Sequence, residues 1–415
     1  MTDSNRPDRD EKPYTLPPLP NGKKVSVAAA LASAITAVVI TALLCFALFI
    51  AAMAKERENL GFLRKVQQLD EIYRAQFAGD INYDKVTSAL LSAYVESVDK
   101  YGYYLGRDDY SNTMSELSSN TVGIGVYVVS RANGAEVVHV MAGSPAEKIG
   151  MQVGDIVFES NGRLYAEARS FGEFIESCRG AAGETGTIRW IRGGELMSSE
   201  VTYAKYYIET VFPKNLGNGV GYVYIASFDQ GTSADFRAAV DGLLEEGCDR
   251  FVFDLRNNGG GLLGTVTSMV DYVTGSGTIV TITDVSGNVA EKYVSDEKDA
   301  IAGMKCAVLI NGRSASASEL FAAALRDLRG APLVGERSYG KGTLQHIISL
   351  GDGTGVGVTT NYFNPPSSPN FDGVGLAPDI AASLPGEAFE YSIFTMPLEI
   401  DTQLQAAVGA VSVPE

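Results

Sequence analysis

From residue 219 to 385, strand-like apolar runs alternate with amphipathic stretches of helical period. VGYVYIASF (220–228), RFVFDLR (250–256), CAVLIN (306–311) and PLVGE (332–336) read as strands, the second of them a buried one. TSADFRAAVDGLLEEG (232–247), LLGTVTSMVDYVT (262–274) and an alanine-rich run after residue 316 read as the intervening helices. This alternation predicts an α/β core with several parallel strands. In open sheets of that kind, reactive groups collect at the carboxyl ends of the strands.

Two strand ends carry sequences that suit chemistry. The first is Asp254-Leu255-Arg256-Asn257-Asn258-Gly259-Gly260-Gly261. Three glycines leading into a helix expose successive backbone N–H groups, which can form an oxyanion hole. A phosphate-binding loop would need GxxxxGK[ST] spacing, which is missing. The second is NGRSASASEL (311–320). Ser316-x-x-Glu319 fits a capping box, in which serine and glutamate satisfy the first N–H groups of a helix. A helix start is equally a favourable place for a nucleophile, because its dipole and free amides stabilise a developing oxyanion.

A nucleophilic serine needs a base. His346 is available, but GERSYGKGTLQHIISL (335–350) offers Lys341 between two glycines. On an extended segment Lys341, Thr343 and Gln345 share one face, while Leu344 and His346 point the other way. A lysine desolvated in a cleft loses its proton more easily and can act as a general base. Gln345 could hold the amine with its carbonyl oxygen, and Ser-Lys pairs are a known variant of the triad logic.

The N-terminal part is organised differently. Residues 25–54 are thirty residues without a charge, long enough to span a bilayer with some tilt. Ala52-Met53-Ala54 resembles a signal-peptide cleavage site, but the apolar region is about twice the usual 7–15 residues, so an uncleaved anchor is expected. Residues 1–24 read as a short disordered tail, and 55–118 as a helical segment in which the stretch 86–105 ends in a tyrosine cluster, KYGYYL. From 119 short β-like runs take over. VGIGVYVV (122–129) and EVVHVM (136–141) look like strands, and a short helix runs from Ser144 to Gly150. Residues 119–206 resemble a PDZ domain of the protease-associated kind. In such a domain an extended C-terminus adds to a sheet edge while backbone N–H groups hold its carboxylate. The cradle for that carboxylate is expected at Gly123, Ile124, Gly125 and Val126, although turns alone would also account for these glycines.

Composition narrows the function further. The net charge of −17 argues against nucleic acid and against docking on anionic lipid. Only His139 and His346 occur, which leaves no multi-histidine metal site. Cys45, Cys178, Cys248 and Cys306 show no CxxC spacing; the last three are expected to behave as small buried hydrophobes, with one disulfide open to an exported domain. No metal and no cofactor is expected.

Together Asp-Leu-Arg-Asn-Asn-Gly-Gly-Gly (254–261), Ser-Ala-Ser-Ala-Ser-Glu (314–319), Gly-Glu-x-x-x-Gly-Lys-Gly-x-x-Gln (335–345) and Gly-Val-Gly-Leu-Ala-Pro-Asp (373–379) make the chain resemble the C-terminal processing peptidases, or tail-specific proteases, from about residue 60 to 405. The resemblance implies a crotonase-like core of ββα repeats at 207–385 with an inserted PDZ domain, and a segment at 386–415 packing on the core or the helical region. It implies Ser316 as nucleophile, Lys341 as base and Gln345 as its assistant, with Ser314 and Ser318 as flanking structure. It further implies an oxyanion hole from the N–H of Ala317 with that of Gly260 or Gly261. Expected partners are polypeptides with free, apolar C-termini, an adaptor protein, further copies of the chain, and the membrane through residues 25–54. The protease part is expected on the extracytoplasmic side of a bacterial membrane. Two departures stand out: Glu336-Arg337-Ser338-Tyr339 replaces a commoner Glu-Pro-Thr-Phe, and the helix near 90–95 lacks the usual Gly-Met. A non-catalytic PDZ scaffold is the alternative from another class. A crotonase-type acyl-transfer enzyme is a third, with no sequence sign of a nucleotide-bearing acyl carrier.

Overall fold

The structure is a computed structural model that describes residues 61–296 and 299–412. The charge-free run at 25–54 lies outside the described residues, as does Cys45. Among the described residues no helix is long and apolar enough to cross a membrane. Two compact units divide at Val86. In the first, residues 61–76 are helical, and Asp70 accepts hydrogen bonds from Arg74 and Tyr83 at 2.8 Å each.

The second unit holds a six-stranded sheet in the spatial order Val211–Asn215, Val220–Ile225, Arg250–Asp254, Lys305–Ile310, Leu333–Gly335 and Ile380–Ala381. The first pair is an antiparallel hairpin and every later pair is parallel. Both faces are covered, which is why the central strands are apolar throughout. Phe251, Phe253, Val308 and Ile310 pack under the helices Thr232–Glu245, Leu263–Thr274 and Ala317–Arg329. On the opposite face Tyr222, Val252, Ala307 and Leu309 meet Leu404, Ala407 and Val411 of the helix Thr402–Ser412.

A second, antiparallel sheet was not expected. Gly355–Asn364 is its hub, pairing with Thr343–Ser349, with Gly277–Thr283 and with Tyr103–Leu105. Residues 103–105, read as part of the helical segment, are thus a strand of the core sheet. Their short length and tyrosine-rich pattern hide the strand, and only the partner at 355–357 specifies it.

Residues 120–207 leave and rejoin this core through one paired neck, Asn120–Gly123 against Ala204–Tyr207. Between them lies an antiparallel sheet ordered Val126–Arg131, Gly134–Val140, Ile156–Ser160, Thr185–Arg192 and Glu195–Thr202, around a separate core of Phe174, Ile188 and Trp190. The run 122–129 is therefore two strands in two sheets. The break falls at Gly125, whose φ of 81° suits glycine, and a Cβ there would sit 2.3 Å from that of Ser144. The expected short helix forms as Pro145–Lys148, with Ser144 capping the Glu147 N–H at 3.2 Å. Cys178, Cys248 and Cys306 are free and buried, without a disulfide.

Candidate active site

The strand Lys305–Ile310 ends beside Arg250–Asp254, so the serine stretch and the triple glycine meet at adjacent strand ends. Their contact is built from the flanking serines. Ser314 Oγ donates to the Leu255 carbonyl at 2.8 Å, and Ser318 Oγ to the Asn258 carbonyl at 2.9 Å. Both serines are fully buried. The Ala315 N–H adds a bond to the Asn258 carbonyl at 3.0 Å.

Between them Ser316 is half-buried and adopts φ 58°, ψ −116°, a region few side chains occupy. Such a conformation persists only where the surroundings impose it, and it is commonest at functional sites. The glutamate half of the capping box is formed: the Ser316 N–H donates to Glu319 Oε2 at 2.9 Å. Fully buried Glu319 does more than cap. Its Oε2 also accepts from the Lys341 N–H at 2.8 Å, and its Oε1 from the Gly340 N–H at 2.7 Å and Ser338 Oγ at 2.5 Å. One carboxylate oxygen therefore ties the backbone of Ser316 directly to that of Lys341. Burial pushes the Glu319 carboxyl up, and the four donors oppose that shift.

The Lys341 amine donates to Gln345 Oε1 at 2.6 Å. Burial holds the amine below the ordinary lysine range, and the Asp99 charge works against that. The strand Thr343–Ser349 carries a register shift between Leu344 and Gln345, yet lysine and glutamine still meet. His346 is exposed and bonded to Thr360 Oγ1 at 2.7 Å, and His139, on the inserted region, is paired with Glu209 just beyond it at 2.8 Å.

The glycine turn fits closely over the serine. A Cβ on Gly260 would lie 2.9 Å from both the Ala315 carbonyl oxygen and Ser316 Cβ, and 3.1 Å from the Ala317 nitrogen. Of the two expected glycine amides, that of Gly260 is engaged: it donates to Asn258 Oδ1 at 2.8 Å. Asn258 is itself fixed by its Nδ2 bond to the Ile225 carbonyl at 2.8 Å. This corrects the equal standing of Gly260 and Gly261, because an amide already bonded inside the loop is not free for an oxyanion. Gly261 is placed instead by a bridge to Phe228.

Gly123, Ile124, Gly125 and Val126 line a cavity of ≈ 570 Å³ that also reaches Gly260 and Gly261. The loop's carbonyls are tied down, Ile124 by the Ala146 N–H at 2.7 Å and Gly125 by the Met141 N–H at 3.0 Å. Sequence reading missed the reach of Glu319 and the role of Asn258, although Ser-x-x-Glu and Asn-Gly-Gly-Gly were both visible. Among the described residues no group of His, Cys, Asp or Glu is arranged to hold a metal.

Such a site can support acyl transfer: a serine at a helix start, a desolvated amine held by an amide oxygen, and a glycine turn packed closely over the serine. Residues 219–382 match the model of peptidase family S41. The chain is 28% identical over 325 residues to a "Probable CtpA-like serine protease" of Staphylococcus aureus (strain MRSA252), covering 78% of this chain and 65% of the relative. A protein of the same name from Staphylococcus saprophyticus is 28% identical over 319 residues, 76% of this chain and again 65% of the relative. The chain thus spans less than two thirds of the curated relatives it matches. In fold it is similar to a "Putative S41 protease" from Bacteroides fragilis NCTC 9343, with a TM-score of 0.56, 16% identity, and coverage of 81% of this chain and 92% of the other.

Proposed function

We propose that this protein is a serine endopeptidase with a Ser316–Lys341 dyad, selecting polypeptides by their C-terminal tails. The observation that carries the reading is the shared Glu319 oxygen, which holds the Ser316 and Lys341 backbones together while burial favours the neutral amine. In this mechanism Ser316 Oγ attacks the scissile carbonyl carbon as Lys341 Nζ takes its proton. The oxyanion is held by the amides of Ala317 and Gly261. Lys341 then returns the proton to the leaving amine, an acyl-enzyme remains, and water repeats the sequence to release the acid. Gln345 accepts a hydrogen bond from the amine throughout and keeps it aimed.

Residues 119–206 act, in this reading, as a PDZ module whose 123–126 loop takes the substrate carboxylate. The cavity joining that loop to Gly260 and Gly261 supports it, because an extended tail could thread from one to the other. The charge-free run at 25–54 supports an anchored enzyme acting outside the cytoplasmic membrane.

The test is cleavage of an unfolded protein by the full chain and by Ser316→Ala and Lys341→Ala. Both variants should lose cleavage while still binding a peptide with an apolar C-terminus. Undiminished cleavage by either would remove the dyad. A wild type that binds the peptide without ever cutting would favour the non-catalytic scaffold.

A further inference from the structure

The tyrosine cluster at 101–104 lies outside the family-matched region, yet it reaches the lysine. The helix Tyr83–Val98 runs directly into a turn at Asp99, closed by Tyr101 N–H to Asp99 Oδ1 at 3.0 Å and Gly102 N–H to the Asp99 carbonyl at 3.0 Å. Asp99 clamps this turn to the hub strand of the antiparallel sheet. Its Oδ2 accepts from the Thr359 N–H at 2.7 Å, and its Oδ1 from Thr359 Oγ1 at 2.9 Å.

From that turn Tyr101 touches the proposed base machinery three times. Its carbonyl accepts from Gln345 Nε2. Its hydroxyl donates to the Gly340 carbonyl at 2.9 Å, next to the lysine. Its ring centroid is 5.7 Å from the Lys341 amine. The first contact decides the chemistry. A carbonyl can only accept, so it fixes the amide nitrogen of Gln345 on its side and forces Oε1 toward Lys341. With the amide reversed, Gln345 would present N–H groups to an amine that needs an acceptor.

We propose that the turn Asp99–Gly102 is a positioning element for the base, in which Tyr101 sets the orientation of Gln345 and Asp99 holds the turn and its charge beside Lys341. The inference rests on the Ser-Lys reading above. The charged groups around the lysine are Asp99 and Lys100 on this turn, Glu319 beneath its backbone amide, and Asp372, which accepts from the Gly342 N–H at 3.1 Å. Lys100 reaches the Tyr101 hydroxyl at 2.8 Å rather than the site itself.

Removing either side chain should move the lysine in opposite directions. Burial is the largest influence on Lys341 and the Asp99 charge opposes it. Asp99→Asn therefore lowers the amine's proton affinity further. Tyr101→Ala lets water in and raises it, since a ring at 5.7 Å attracts a cation only weakly. Both Tyr101 variants keep the backbone carbonyl that Gln345 bonds, and only Tyr101→Phe keeps the ring that packs the turn over Lys341.

The test uses the full chain. The acidic limb of kcat/KM should move to lower pH in Asp99→Asn and to higher pH in Tyr101→Ala. In Tyr101→Ala kcat should fall about tenfold with KM unchanged, the order expected for a misaimed base, and Tyr101→Phe should restore it. A purely structural role would reduce the amount of active enzyme and leave the limb where it was. In parallel, the pH dependence of Lys341 acylation by a small amine-reactive reagent is read by peptide mass spectrometry, which needs no turnover. Midpoints that shift in the two stated directions support the positioning role even if wild type fails to cleave, an outcome that would sink only the protease reading. Midpoints that coincide with wild type in both variants overturn it.

Discussion

Glu319→Gln probes the joint between the serine stretch and the lysine loop. The carboxylate accepts from four donors at 2.9, 2.8, 2.7 and 2.5 Å, and it is fully buried. An ionised glutamate is acceptor-only and matches that set. Glutamine has one acceptor oxygen and one N–H₂ group: turned one way it sets a donor against both Ser316 N–H and Lys341 N–H, turned the other it opposes Gly340 N–H while the Ser338 hydroxyl can rotate to accept. Bonds to a charged acceptor contribute roughly 1.5–3 kcal/mol each, while loss of a buried charge relieves part of its desolvation, which leaves a net loss of about 3 kcal/mol. The local effect is larger than the global one, because Ser316 N and Lys341 N share the oxygen on one side of the amide. If that side carries the N–H₂ group, both backbones are pushed off together. A misplacement of an ångström lowers turnover by about 10²-fold. The assay pairs guanidinium unfolding with kcat/KM on an unfolded protein substrate. Val270→Ala, on the buried face of the helix Leu263–Thr274, is the stability control, and once folded it should cleave normally. The reasoning fails if Glu319→Gln cleaves at the wild-type rate, or loses no more activity than the control does.

Further outcomes are expected. Gly260→Ala should abolish cleavage and lower stability, because its Cβ would press on Ser316 at 2.9 Å in a backbone with φ 109°, whereas Gly259→Ala meets nothing within 4 Å and should be tolerated; kinetics and unfolding midpoints distinguish them. A pH profile of kcat/KM should rise through a limb below the ordinary lysine value of 10.5, since burial favours the neutral amine, and a limb at or above 10.5 would remove Lys341 as base. For stability the sign is the same: a lysine whose proton affinity is lowered on folding adds stability as pH rises toward 10.5. Asp401→Asn should destabilise the chain by about 3–5 kcal/mol in denaturant, because Arg256, only 1% exposed, would keep Asp254 and lose a bidentate partner at 2.8 Å.

Much of the core was legible because its signals are local. A strand buried on both faces must be apolar at consecutive positions, and RFVFD is; Phe251 and Phe253 face the helices while Val252 faces the C-terminal helix. The serine stretch and the Gly-Lys-Gly run could likewise be read as reactive, since both lie where chain direction changes between elements. The strand at Tyr103–Leu105 was not legible, because three half-buried residues take their conformation from a partner some 250 positions away. Nor was the split of 122–129, which depends on Ser144 packing against Gly125.

By itself, then, the sequence determines which segments become strands and helices in the core, and which side chains at their ends have the chemistry of a nucleophile, a base and amide donors. Period and residue type act over a few positions, and that is as far as they reach. Tertiary structure decides which of those groups meet and in what state. Only packing turns a helix-capping glutamate into the bridge between Ser316 and Lys341. It also commits the Gly260 amide to Asn258, dries the lysine, and brings Tyr101 from 240 residues upstream to orient Gln345. Each of these depends on distance and solvent exclusion, which exist only once the chain has folded.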